Sequence, residues 1–159
     1  MSQLTSMGGL YRRRADSAAK EVKEARSALD HAEAVVDDCQ ARLAAQRIEA
    51  AQQERDIDAA LFRSIVRRRR IDDTLIDLQI IRNATLALET ELLQTEQDRD
   101  KAGIVLENAL TRYRAQVIKL EKFEALIERE TQEADAATQA AEDATLEEAV
   151  EMMQTSYEH

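Results

Sequence analysis

Ala15, Val22, Leu29, Val36, Leu43, Ala50 and Ile57 stand seven residues apart, and Ala18, Ala25, Ala32, Cys39, Gln46, Gln53 and Ala60 form a second row three residues on. These are the a and d places of a heptad repeat, with mostly charged residues and glutamine in the places between. An apolar seam sustained this long specifies a coiled-coil helix. Nothing in the chain interrupts it: there is no proline, and only three glycines occur in 159 residues. Aromatic residues make up 3% of the chain, too little for the interior of a compact domain of this size. A sandwich, barrel, Rossmann fold or disulfide scaffold does not fit this composition, whereas long paired helices do.

A second pattern fills the other half. One row reads Leu92, Arg99, Leu106, Tyr113, Leu120, Ile127, Ala134 and Ala141, and a looser one Ala102, Ala109, Val117, Phe123, Ala137 and Ala144. Between the two patterns, near residues 62–85, the heptads lose register. Thr74-Leu75-Ile76-Asp77 has the spacing of a capping box, in which the Thr hydroxyl and the Asp carboxylate satisfy free N–H groups at a helix start. The expected fold is all-α, a long antiparallel two-helix coiled-coil hairpin. Its first helix is expected at 10–65, its turn at 66–73 and its second helix at 74–150, with flexible ends at 1–9 and 151–159. A break near Asn83 and Thr85 is the alternative turn. At 1.5 Å per residue the helices would be about 80 and 110 Å long, so the end of the second overhangs the first. Gly103 is expected opposite Cys39 to Leu43, where a missing side chain would permit close approach.

The formal charge is −10. Residues 1–80 carry 14 basic and 14 acidic side chains, while 81–159 carry 8 and 18. Residues 128–159 alone hold ten acids and one Arg. This balance disfavours generic nucleic-acid binding, which needs a basic surface. A lone cysteine fits a reducing compartment. Met1 to Leu10 lacks the apolar run of a secretory signal, and no stretch approaches the ~20 apolar residues of a membrane span. The expectation is a cytoplasmic protein without direct membrane insertion.

Catalytic chemistry is not expected. Gly103 stands alone, and Gly8-Gly9 is not followed by the Lys-Ser/Thr pair of a phosphate loop. His31 falls on the outer face of the first helix, His159 is the last residue, and neither pairs with Cys39 at a metal-ligand spacing. Paired acids such as Asp37-Asp38 and Glu147-Glu148 read as solvated faces, since a catalytic pair needs a cleft that shifts its pKa. No cofactor or metal is implied. Two basic clusters stand out. Arg67, Arg68, Arg69 and Arg70, with Arg63, fall in a stretch from Ala59 to Ile71 that has no acid. This is a solvated turn or a docking tip for an acidic protein surface; a nucleic-acid contact is the least favoured alternative, since no aromatic stacking residues accompany the run. Arg12, Arg13 and Arg14 lie at the other end, where they either balance the acidic second helix or meet a partner.

The chain resembles the stalk proteins of type III secretion and flagellar export, the FliJ/YscO/SctO family. The resemblance rests on Leu10-Tyr-Arg-Arg-Arg-Ala-Asp before the alanine-spaced heptads, and on Leu61-Phe62 shortly before the turn. It rests equally on Asp73-Thr-Leu-Ile-Asp-Leu-Gln-Ile-Ile-Arg82 and on Lys119-Leu-Glu-Lys-Phe-Glu-Ala-Leu126. It covers residues 10–127. It implies a non-enzymatic stalk whose terminal segments enter a hexameric secretion ATPase and promote its activity. The other end would reach the cytoplasmic ring of the export-gate membrane protein, and some members bind export chaperones. By that resemblance Arg12, Arg13, Arg14, Lys119 and Lys122 would form the ATPase end, and Phe62, Leu75 and the turn the gate-facing end. The role of Arg67–Arg70 is not inherited from the family. The competing reading is a generic coiled-coil scaffold or chaperone-binding protein without ATPase coupling.

Overall fold

The computed structural model describes residues 3–63 and 68–158. Two helices, α1 (Gln3–Arg63) and α2 (Arg68–Tyr157), account for all but Glu158 of these residues, and no strand occurs among them. They pack antiparallel as a helical hairpin. Contacts divide the chain into a terminal unit, Met1–Lys20 with Leu110–His159, and a central unit, Glu21–Ala109.

In the central unit, Ala25, Val36, Cys39, Leu43 and Ala50 of α1 are buried together with Ala109 of α2. The α1 rows follow the heptads through Ala50. There the seam slips: Gln53 and Ala60 are exposed, and Glu54, Ile57 and Leu61 take the inward places. A seam that gains one residue in this way follows from 3.6 residues per turn not dividing seven. On α2 the half-buried places run Thr74, Leu78, Ile81, Thr85, Leu88, Leu92, Thr95 and Arg99 at alternating steps of four and three. The heptad therefore holds register through the segment expected to lose it. Threonine is tolerated there because its hydroxyl is satisfied by its own helix. Thr85 donates to the Ile81 carbonyl at 3.2 Å and Thr95 to that of Leu92 at 2.9 Å.

Several boundaries differ from the sequence expectation. α1 begins at Gln3, not at residue 10, since no proline or stable turn stops it. α2 begins at Arg68, so Asp72 and Asp73 lie inside a helix and not in a turn, and Thr74 does not start one. The Thr74 hydroxyl donates to the Arg70 carbonyl at 2.8 Å, one turn back, and so does not cap a helix start. Arg67 lies outside the described residues, as do the side chains of Arg68 and Arg69.

In the terminal unit, Gly8, Ala15 and Ala18 of α1 are buried. Tyr113, Leu120, Phe123 and Ile127 of α2 are half-buried, and Gln116 buries its amide oxygen without a partner among the described residues. From Glu128 to Glu158 every residue is exposed. Ala134, Ala137, Ala141 and Ala144 thus continue the row in sequence but face water. Gly8 stands against Ile127, and α1 as described starts five residues before it, at Gln3.

Gly8 is also the real point of close approach. A Cβ on it would stand 2.7 Å from Ile127 Cδ1, whereas one on Gly103 would meet nothing within 4 Å. Gly103 shares a groove of about 500 Å³ with Leu29, Glu33 and Ile104, not with Cys39 to Leu43.

Candidate functional site

The terminal unit brings together residues separated by more than a hundred positions. Tyr11 follows Gly8 on the α1 seam and Phe123 precedes Ile127 on that of α2. Their rings stack with centroids 4.7 Å apart and planes 13° from parallel. The Arg14 guanidinium carbon lies 5.3 Å from the Tyr11 ring centroid, in cation–π range. Arg12 Nη2 donates to Glu124 Oε1 at 2.6 Å. Arg12 thus meets an acid of the facing helix, whereas Arg14 lies over a ring of its own helix. Arg13 is exposed and makes no ion pair among the described residues; the same holds for Lys119 and Lys122 on α2. Of the five basic residues named from sequence, Arg12 bridges the two helices, Arg14 stacks within α1, and Arg13, Lys119 and Lys122 present charge to solvent.

In the central unit, Phe62 is 93% exposed, and Leu75 is exposed as well. Ile71, Ile76 and Ile80 add exposed apolar surface early in α2. Arg63 and Arg70 are exposed and unpaired among the described residues. An open groove of about 530 Å³ lies between the helices, lined by Ile57, Ile80 and Ile81 with Glu49, Asp56 and Asp77. Sequence inspection missed this groove because it follows from the slip at Gln53, which no single residue announces. It also missed the Tyr11–Phe123 stack, although both residues stand on heptad rows once the seam is extended back to Leu4 and Gly8.

Across α1 and α2 of the central unit, Arg42 forms the densest polar contact. Its Nη2 and Nη1 donate to the two carboxylate oxygens of Glu91 at 2.6 and 3.4 Å, and its Nε donates to Asp38 at 3.1 Å. The hydrogen bond and charge of Arg42 hold the Glu91 carboxyl below its usual value, and Glu91 in turn raises Arg42. This geometry fixes register; it offers no reacting group. Among the described residues no group of three or more His, Cys, Asp and Glu is placed to hold a metal ion. No described helix is long and apolar enough to cross a membrane.

These features define a helical-hairpin protein that displays charged and apolar side chains on paired helices. The family model of the type III secretion protein YscO matches residues 10–152, and the chain belongs to that family. Neither the curated proteins nor the solved structures compared with it gave a match. It is a type III secretion protein, and its partners are expected within the secretion apparatus.

Proposed function

We propose that this protein is the central stalk of a type III secretion system, inserting its terminal helix pair into the hexameric secretion ATPase and coupling that enzyme to the export gate. It acts without catalysis of its own, at the cytoplasmic side of the apparatus. The observation that carries this reading is the pairing of the start of α1 with Tyr113–Ile127 of α2, beside which Arg13, Lys119 and Lys122 are exposed to meet a partner. The family match over residues 10–152 supports it. Phe62 and Leu75 supply exposed apolar surface of the kind a gate-facing contact uses.

The test is stimulation of the cognate secretion ATPase. Arg13→Glu/Lys119→Glu/Lys122→Glu reverses three free charges without touching Arg12–Glu124 or Tyr11–Phe123. It is expected to keep wild-type helicity, to lose most of the stimulation and to retain gate binding. Phe62→Ser/Leu75→Ser is expected to do the opposite. If the wild-type protein adds nothing to the turnover of the hexamer, the stalk reading fails and a scaffold or chaperone-binding protein becomes the better account.

A further inference from the structure

Leu146, Val150, Met153 and Tyr157 recur at helical steps of four, three and four near the end of α2. All four are exposed, Tyr157 at 91%. They do not continue the hairpin seam. Stepping by sevens from Phe123 and Ile127 leads instead through Ala137, Ala141 and Ala144 to Glu148 and Glu151. A large apolar stripe on another face has no use for α1, and it is the pattern by which a helix anchors itself on a second surface. Acids surround it, within the stretch of ten acids and one Arg from residue 128 to 159. A matching surface must be apolar and basic. Two such stripes laid together would set acid against acid, so a tail-to-tail pair is disfavoured.

The chain itself carries side chains of the complementary chemistry, at the end of α1 and the start of α2. Phe62, Ile71, Leu75 and Ile76 are exposed apolar side chains, and Arg63 and Arg70 stand beside them in sequence, exposed and unpaired among the described residues. No acid occurs between Asp58 and Asp72. We infer that copies of this protein associate head to tail, the Leu146–Tyr157 stripe of one copy seating on the Phe62/Arg63/Arg70/Leu75 surface of the next. The contact joins two different patches, so it closes in a ring or runs on as an open chain according to the rotation between successive copies, and in both cases assembly grows with concentration. Its charged component weakens as salt rises. It covers the surface assigned above to the gate, so a copy in this state is withheld from the apparatus.

The experiment is sedimentation velocity on the full chain over a range of concentrations, at low and at physiological salt. The wild-type protein is expected to form dimers and larger species that dissociate as salt increases. Leu146→Asp/Val150→Asp/Met153→Asp and Phe62→Ser/Arg63→Glu/Arg70→Glu are each expected to weaken association at least tenfold. Every replaced residue is exposed, so helicity is retained; Arg63→Gln/Arg70→Gln serves should the charge reversal disturb the helix ends. The decisive sample is an equimolar mixture of the two variants. Each retains the patch the other lacks, so the mixture is expected to form a two-chain species and nothing larger. A wild-type protein that stays monomeric throughout overturns the inference. So does a surface variant that still self-associates, or a mixture that fails to pair.

Discussion

Arg42 grips Glu91 with both guanidinium amino groups, at 2.6 and 3.4 Å, and so ties α1 to α2 across 49 positions of sequence. Because Arg42 lowers the Glu91 pKa, the unfolded chain takes up that proton before the folded one does. The stabilisation is therefore fully present at neutral pH and is lost as pH falls through the lowered value. Glu91→Gln is expected to reduce the melting temperature by roughly one or two degrees at pH 7, as befits an exposed pair. The gap between variant and wild type should close once the pH has fallen below the lowered Glu91 value. A gap that persists in acid would mean the residue acts by packing and not by charge.

Leu43 is 3% exposed and Val36 is 2% exposed. An Asp at either place buries a charge with no partner in a layer one side chain thick. Leu43→Asp or Val36→Asp is expected to cost about 3 kcal/mol or more. Gln40→Asp, on the exposed face, should stay within about 0.5 kcal/mol of wild type. Urea unfolding followed by circular dichroism reads both.

The three glycines give a graded series. A Cβ on Gly9 or Gly103 meets nothing within 4 Å. Gly9→Ala and Gly103→Ala are therefore expected to stabilise the helices by about 0.5–1 kcal/mol each. Gly8→Ala should gain less, because the terminal methyl of Ile127 must move aside. An equal gain at all three positions would show that Gly8 and Ile127 are not in contact.

Cys39 is the single thiol and is fully buried. Its alkylation should require opening of the helix pair, so labelling in native buffer should run at least a hundredfold slower than in denaturant, as for any site reached only through opening, where a hundredfold is about 2.7 kcal/mol. Leu43→Asp should accelerate it in proportion to the lost stability. Labelling at the denatured rate would place Cys39 off the seam.

How much of this was legible in the sequence depends on which residues occupy the seam. From Ala15 to Ala50, α1 places small or apolar residues at nearly every inward position, and the heptads stand out. Early α2 puts Thr74, Thr85, Thr95 and Arg99 at inward positions, so a polarity pattern hides a register that the helix keeps. The same threonines misplace the turn: Thr74 has the spacing of a cap, yet its hydroxyl bonds the carbonyl of Arg70. At the terminal end, Arg12, Arg13 and Arg14 look alike in sequence. Only their angular positions on α1 separate the arginine that meets Glu124 from the one that faces water. The groove beside Ile57 arises from a seam slip, a property of accumulated helical phase that no local motif encodes.

Among the described residues, seven of the eight buried hydrophobic side chains belong to α1, five of them Ala or Cys, and Ala109 alone belongs to α2. Small side chains sit in the gaps between larger ones that remain half in water. Enlarging an α1 alanine forces two backbones apart, while exchanging one half-exposed Leu or Ile of α2 for another merely rearranges its outer edge. Mutational tolerance should therefore be lopsided, with α1 acting as a conserved mould and α2 as the variable casting. A lineage could then rewrite the outward face of α2 for new interlocutors, one substitution at a time, without retuning the grip between the helices.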